Sequence, residues 1–437
     1  MITNPNVACI IADDLTGAND SALQFHMHGA NTQILLSENI DALNVKGTST
    51  WAISTESRNI SQKNAYEKVK RITQIMIDKF NPDYFFKKID STVRGNITVE
   101  TLGMLEVLGW DAAVVIPAFP AEGRVTVGGY HLLRGTPIER TEMARDPYSP
   151  ICESHLPTLF SNRIGEEYRN LIASIDLKDI MKGAAPILKA LNEHIAAGKK
   201  LIVVDAVSTT DIEQVLLAMT KSNYKILPVG TAAAARVLSD LWFSDLNLEH
   251  INKTIPELPK LVISGSATEI TASQVHAFEQ CDDFFDENSL VIKLDLDTIL
   301  NGVNDDLVNR VVTNLGQNNI VVVHTSNIVQ NFDGFSDTSL DAELTREKLA
   351  SMITDFLALL TKRVTEQKDL ILILLGGETS YKCCSAIGAT QLQLIDEVAP
   401  AIALSLDHNA QWIVTKSGNL GGINTLINIL KYFENHE

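Results

Sequence analysis

The sequence predicts an α/β protein of two domains, each a mainly parallel sheet flanked by helices, with a ligand cleft between them. Three observations carry that prediction. Short β-prone apolar runs alternate with helical periodicities along most of the 437 residues, the signature of β-α-β units. That length exceeds what a single core supports. A stretch of mixed polarity with two prolines, residues 245–260, reads as a linker between an N-terminal domain (1–244) and a C-terminal domain (261–437).

In chain order, the run from Val7 to Ala12 is a strand, and Asp13 to Asp20 opens a helix ending near Gly29. Thr32 to Leu36 and Thr50 to Ser54 are further strands. Ala65, Val69, Ile72, Met76 and Phe80 recur at helical spacing, so residues 61–80 form an amphipathic helix stopped by Pro82. A strand from Tyr84, a helix to about Leu108 and a strand from Ala112 to Pro117 follow. Residues 118–157 break the rhythm with prolines, glycines and arginines, as a binding loop or lid does. Within them Gly128-Gly129 is the turn of a hairpin. Strands from Leu201 and Lys225, with helices from Thr209 and after Thr231, complete the first domain.

The second domain begins with the strand Leu261 to Ser264, and Thr271-x-x-Gln274 has the form of a capping box for the next helix. Strands follow at Leu290 to Leu294, Ile320 to Thr325, Leu370 to Leu375 and Gln411 to Thr415. Helices are expected near 304–316 and 345–363, with one more at the C-terminus.

Composition narrows the function classes. Hydrophobic residues at 45% and charged residues at 21% describe an ordinary globular protein. A net charge of -18 opposes a nucleic-acid or acidic-membrane partner, though not a local basic site for a small anion. The start lacks an export signal, and no segment has the length of a membrane span. The five cysteines show no metal-site spacing. A cytoplasmic protein is expected, and a homodimer is the default for a soluble enzyme.

Two groups of residues carry chemistry. In the first domain, Asp13 and Asp14 close one strand, while Lys88, Asp90, Ser91, Arg94 and Asn96 gather around Gly95 at the end of another. Strand ends are where open α/β sheets place ligands. Arg94 can grip a carboxylate or phosphate with two donors, and adjacent acids forced into such a place bind hydroxyls or a metal, or take a proton. The plainer alternative is a polar loop with helix caps at Ser91 or Thr92. In the second domain, small-residue turns end three apolar strands: Ser264 to Thr268, Gly376 to Ser380, and Lys416 to Gly422. Glycine lets backbone N–H groups approach phosphates, and hydroxyls add donors. The patterns of a P-loop, a Rossmann fingerprint and a zinc protease are absent. A cationic and acidic domain beside a glycine-turn domain suggests phosphoryl transfer from ATP, with Mg²⁺, to a small anionic hydroxy compound. No metal ligand set can be named.

These motifs resemble the four-carbon acid sugar kinase family over essentially the whole chain. The matching residues are Ile11 to Ala18, Lys87 to Asn96, the loop through Pro117, Pro120, Gly123, Arg124, Gly128 and Gly129, and Thr141-Glu142 with Arg145-Asp146-Pro147. In the second domain they are Ser264-Gly265-Ser266, Gly376 to Thr379, and Lys416-Ser417-Gly418. The last turn departs from the family's pattern at Asn419 and Leu420. The resemblance implies ATP-dependent phosphorylation of the terminal hydroxyl of D-threonate, D-erythronate or 3-oxo-tetronate. By motif, Asp13, Asp14, Lys88, Asp90, Ser91, Arg94 and Asn96 would hold the acid sugar. Ser264, Ser266, Gly376, Gly377, Glu378, Thr379, Gly418 and Gly421 would hold ATP. Arg94, helped by Lys88, would clamp the sugar carboxylate, and Asp14 or Asp90 would take the hydroxyl proton. Arg94, where the 3-oxo-tetronate enzymes tend to carry lysine, ranks D-threonate first. The competing classes are a non-catalytic acid-sugar sensor, which needs no glycine turns, and a hydro-lyase or aldolase, which leaves the second domain unexplained.

Overall fold

A computed structural model describes residues 7–38, 48–146, 148–243, 254–266, 268–281, 289–317, 320–326, 328 and 346–435. Pro147, Ala267 and residues 245–253 of the expected linker lie outside them. The chain divides into two compact units, Met1–Ile34 with Glu38–Glu249, and Leu35–Ser37 with His250–Glu437.

The strands of the first unit are β1 (Ala8–Ala12), β2 (Thr32–Leu35), β3 (Thr50–Ser54), β4 (Tyr84–Lys88), β5 (Ala112–Ile116), β6 (Arg124–Val127), β7 (Tyr130–Leu133), β8 (Thr136–Pro137), β9 (Ile172–Ile175), β10 (Leu201–Val204) and β11 (Ile226–Gly230). The main sheet runs in the order β2-β3-β1-β4-β11-β5-β10-β9. β1 is parallel to both β3 and β4, and the pairs onward to β9 are parallel too. After β1 the chain builds β2 and β3 to one side and β4 to the other. That reversal puts a crevice at the carboxyl ends of β1 and β4. The strands read as continuous apolar runs because helices cover both faces, burying Ile10, Ile53, Phe86, Val114 and Val203.

The helix Gln62–Phe80 shows how local sequence sets an element. Ser61 caps it by accepting from Asn64 N–H, and Asn81 ends it in a left-handed conformation before Pro82. Its buried stripe is Ala65, Val69, Ile72, Thr73 and Met76. Burying each of the large apolar side chains contributes roughly 1.5–3 kcal/mol. The expected hairpin is present as β6 and β7, with β8 adding a third antiparallel strand. Asp205, after β10, accepts from the N–H groups of Gly128 (2.6 Å) and Gly129 (2.9 Å) and so anchors the turn.

The second unit holds β12 (Lys260–Ser264), β13 (Ser289–Lys293), β14 (Ile320–His324), β15 (Ile371–Leu375), β16 (Gln391–Ala399), β17 (Ile402–Asp407) and β18 (Trp412–Lys416). Their order is β13-β14-β12-β15-β18-β17-β16. The first five strands pair in parallel, whereas β17 and β16 are added antiparallel, with bulges in β16. Val262, Ile373, Val414, Leu426 and Phe433 belong to its core. Among the described residues no helix is long and apolar enough to cross a membrane.

The structure differs from the sequence reading in several places. The β16–β17 pair and the edge strand β9 were not anticipated. Asp396, Glu397 and Pro400 blur the apolar alternation of the former, and β9 offers only a four-residue signal. The capping box is a correction. Thr268 caps the helix Glu269–Glu279 by accepting from Thr271 N–H. Thr271 and Gln274 instead donate sideways, the hydroxyl to Gly418 C=O (2.7 Å) and the amide to Leu420 and Gly422 C=O (3.1 and 2.9 Å).

Candidate active site

The carboxyl ends of the adjacent strands β3, β1 and β4 bring a dense set of charges together. Asp14 is the N-cap of the helix Leu15–Met27, its Oδ1 accepting from Gly17 N–H at 2.8 Å. Asp13 precedes it and is almost wholly buried. Arg58, four residues past β3, bridges the two acids. Its Nε and Nη2 donate to Asp13 at 2.8 and 3.0 Å, and its Nη1 lies 2.7 Å from Asp14 Oδ2. Burial disfavours an ionised Asp13, but the guanidinium outweighs it and holds that carboxyl below its usual range.

After β4 the chain turns sharply through Asp90 to Gly95. Val93 sits there at φ 56° and Gly95 at φ 84°. A β-branched residue in the left-handed region is strained by about 1–3 kcal/mol and persists only where neighbours hold it. The neighbours are visible. Arg163 donates to the carbonyls of Val93 and Gly95, Ser149 Oγ accepts from Gly95 N–H, and His131 Nε2 donates to Ser91 C=O at 2.9 Å. Burial pushes the His131 ring down to about 4, so it acts as a neutral strut. A Cβ on Gly95 would come within 2.9 Å of Arg58 Cγ, so this glycine lets the turn close on Arg58.

That turn aims Arg94 at Asp90, with Nε on Oδ2 (2.9 Å) and Nη2 on Oδ1 (3.1 Å), and its Nη1 reaches Asp146 Oδ2 at 2.8 Å. Thr92 Oγ1 also donates to Asp90. Burial opposes charge on Asp90, yet Arg94 and Arg58 keep its carboxyl well below the usual range. Lys88 Nζ lies 3.4 Å from Asp20 Oδ1. A Cβ at Gly17 would meet Asp14 Oδ1 and Lys88 Nζ at 2.6 and 2.9 Å, so only glycine lets these groups converge. Burial raises Asp20 to about 6, with Lys88 opposing and Asp14 reinforcing the rise.

In the second unit the small-residue turns pack on one another. A Cβ on Gly265 would fall 2.6 Å from Thr379 Oγ1, and one on Gly418 would fall 2.5 Å from Ser266 Oγ. Gly376 has φ 120° and lies against Thr379 and Ser266. Ser264, Ser266 and Thr379 are buried, and Glu378 stands in the first turn of the helix Gly377–Ala386, near Lys382. The result is a floor of backbone and hydroxyls at the carboxyl ends of β12, β15 and β18, beside a helix start, which suits an anionic ligand. Gly421 is different. Its φ of 83° and its closeness to Thr425 make it part of the turn into the helix Thr425–Glu434. Lys416 is fully buried, its Nζ donating to Ser417 C=O at 2.8 Å.

A family described as a sugar-binding N-terminal domain matches residues 8–238, and one described as a nucleotide-binding C-terminal domain matches residues 261–426. Curated relatives agree. A D-erythronate kinase of Heliobacterium modesticaldum is 29% identical, covering 97% of this chain and 96% of its own. A D-threonate kinase of Salmonella typhimurium is 28% identical, with 97% and 98% covered. A 3-oxo-tetronate kinase of Haemophilus influenzae is 26% identical, with 94% and 96% covered. The chain belongs to the four-carbon acid sugar kinase family.

This kinase also shares its fold with solved proteins. One from Salmonella typhimurium has a TM-score of 0.74 at 20% identity, covering 96% of this chain and 98% of its own. One from Haemophilus influenzae has a TM-score of 0.70 at 22% identity, with 98% and 99% covered. Of the residues singled out in the kinase's first domain, Asp13, Asp14, Lys88, Asp90 and Arg94 lie in connected charge networks. Ser91 presents its carbonyl to His131. Asn96 turns away, its amide donating to Ser57 and Ile60 carbonyls at 2.8 Å each, so it braces the segment carrying Arg58. Lys87 is fully buried against Glu100 at 2.8 Å. Arg58 and Glu56 were missed. Their signal was available: Thr55 to Arg58 is a polar run directly after an apolar strand.

Proposed function

We propose that the kinase transfers the γ-phosphoryl group of ATP to the terminal hydroxyl of a four-carbon acid sugar, D-threonate before D-erythronate or 3-oxo-tetronate. The observation that carries this reading is the fully engaged network at the ends of β3, β1 and β4. Arg58 joins Asp13 to Asp14, and Arg94 joins Asp90 to Asp146. Such a network offers fixed acceptors for several hydroxyls beside cations for a carboxylate, which is what a polyhydroxy acid requires.

In this reading Lys88 and the remaining donors of Arg94 attract the sugar carboxylate, while Asp13 and Asp14 accept from its hydroxyls. Asp90 orients Arg94 and, held ionised by it, is poorly suited to take a proton. The turns at Gly265, Gly376 and Gly418 hold the nucleotide through backbone N–H groups and the Ser266 and Thr379 hydroxyls. Glu378 and these hydroxyls are the hard oxygen donors Mg²⁺ accepts, and Mg²⁺ bound with the triphosphate would neutralise phosphate charge.

The test is ADP release by the purified protein with Mg²⁺ and ATP against D-threonate, D-erythronate, L-threonate and 3-oxo-tetronate. Turnover highest with D-threonate is the expected result. Preference for another of these acids would revise the substrate, and no turnover with any would end the proposal.

A further inference from the structure

Glu56 stands apart from every other acid at the site. It is the second residue past β3, at φ 43°, a conformation that residues with side chains seldom adopt. Its neighbours are pinned on both sides. Thr55 donates to Ala12 C=O through N–H and hydroxyl, at 2.9 and 2.7 Å. Ser57 N–H donates to Asp13 C=O at 3.0 Å, and Ser57 Oγ to Glu100 at 2.6 Å. Glu56 is held between them in its strained form, and such strain collects at functional sites.

The other carboxylates are occupied. Asp13 accepts two bonds from Arg58. Asp14 accepts from Gly17 N–H and Thr16 Oγ1 and pairs with Arg58. Asp90 accepts from Thr92 and from the Arg94 fork. Asp20 faces Lys88. Glu56 receives the Ser54 hydroxyl, and the charged groups around it are Asp13 and Asp14 beyond β1 and Arg58 beyond β3, the last already shared between those two acids.

We infer that Glu56 is the general base of the phosphoryl transfer, accepting the proton of the attacking hydroxyl. This rests on the kinase reading above. The hydroxyl O–H bond breaks and its proton passes to a Glu56 carboxylate oxygen. The freed oxygen bonds to the γ-phosphorus as the bond to the β,γ-bridging oxygen breaks, ADP leaves with that electron pair, and Glu56 returns the proton to solvent. A base must hold a proton about as tightly as the medium at working pH. Burial, reinforced by Asp14 and Asp13 and opposed by Ser54 and Arg58, raises the Glu56 carboxyl to about 8, whereas arginines hold Asp13 and Asp90 below the range where protons are readily taken.

The experiment is kcat and KM against pH, from about 5 to 10, for wild type, E56Q, E56D and D20N. Wild-type kcat is expected to rise with pH through an ionisation near 8. E56Q should lose about 10²–10⁴-fold in kcat with KM for acid and ATP little changed, and E56D should keep a rising limb at a shifted pH. If E56Q fails to fold, E56D decides, since an unmoved limb would overturn the inference. So would an E56Q enzyme of near-normal kcat, or loss of the limb in D20N alone. Wild type inert toward every four-carbon acid would instead remove the kinase reading itself.

Discussion

Arg94 donates to Asp146 through Nη1 at 2.8 Å, joining residues 52 positions apart. In the proposed reading a substrate carboxylate would compete with Asp146 for this guanidinium. Asp146→Asn keeps the Oδ1 acceptor that caps the N–H groups of Tyr148 and Ser149 and puts an amide NH2 in place of the Oδ2 that accepts from Arg94, removing both the charge and that hydrogen bond. The expected outcome in steady-state kinetics is a KM for the acid lowered roughly threefold to tenfold, about 1 kcal/mol, with kcat held. An unchanged KM would locate the substrate carboxylate on another cation.

Removing Arg58 should be costly. Arg58→Met leaves Asp13, almost wholly buried, without its partner, and breaking a buried pair typically costs about 3–5 kcal/mol. The pH dependence follows in sign. Asp13 and Asp90 have folded-state values below those of the unfolded chain. Their stabilisation is present above about pH 4 and is lost as pH falls through the folded values. Denaturant melts should show wild type weakening on the acid side of about pH 4, and Arg58→Met should flatten that dependence.

Glu56 has the opposite sign. Its folded-state value, about 8, lies above the unfolded one, so its contribution is present below about pH 4 and is lost as pH rises to 8. Glu56→Gln, neutral at every pH, should equal wild type at low pH and melt at higher temperature above pH 8, by roughly a few degrees. Equal melting temperatures throughout would mean that Glu56 is not perturbed.

The pair Lys87–Glu100, 2.8 Å apart with both side chains inaccessible, tests the assignment of Lys87 to the core. Glu100→Leu alone strands a buried ammonium and should cost about 3–5 kcal/mol, whereas Lys87→Met with Glu100→Leu should recover most of it. Chemical denaturation of the variants decides. Equal loss in single and double variants would contradict the pairing.

In the second domain Gly418→Ala would set a methyl group 2.5 Å from Ser266 Oγ. The expected effect is a KM for ATP raised about tenfold or more, with KM for the acid unaltered. A change confined to the acid's KM would remove this turn from the nucleotide site.

Much of this was legible along the chain. Strand ends announced themselves where apolar runs met acids or glycines, because a parallel sheet buries its strands and leaves only their ends to carry polar groups. Asp13, Asp14, Lys88, Asp90 and Arg94 were found that way. Arg58 was not, for its significance comes from β3 lying beside β1, which brings residues 45 positions apart into contact.

The sequence by itself determined the α/β class, most strands and helices, the glycine turns and the acids and cations, since periodicity, turn chemistry and capping are local properties. Tertiary structure alone decided which charges meet. Lys87 and Lys88 are adjacent in sequence, yet the two-residue period of a strand sends one to Glu100 and the other toward Asp20. Thr271 reads as a helix cap and serves as a brace for Gly418. Pairing of this kind depends on strand order and on burial, where an unmatched charge or donor is expensive, and neither is written in any short stretch of residues.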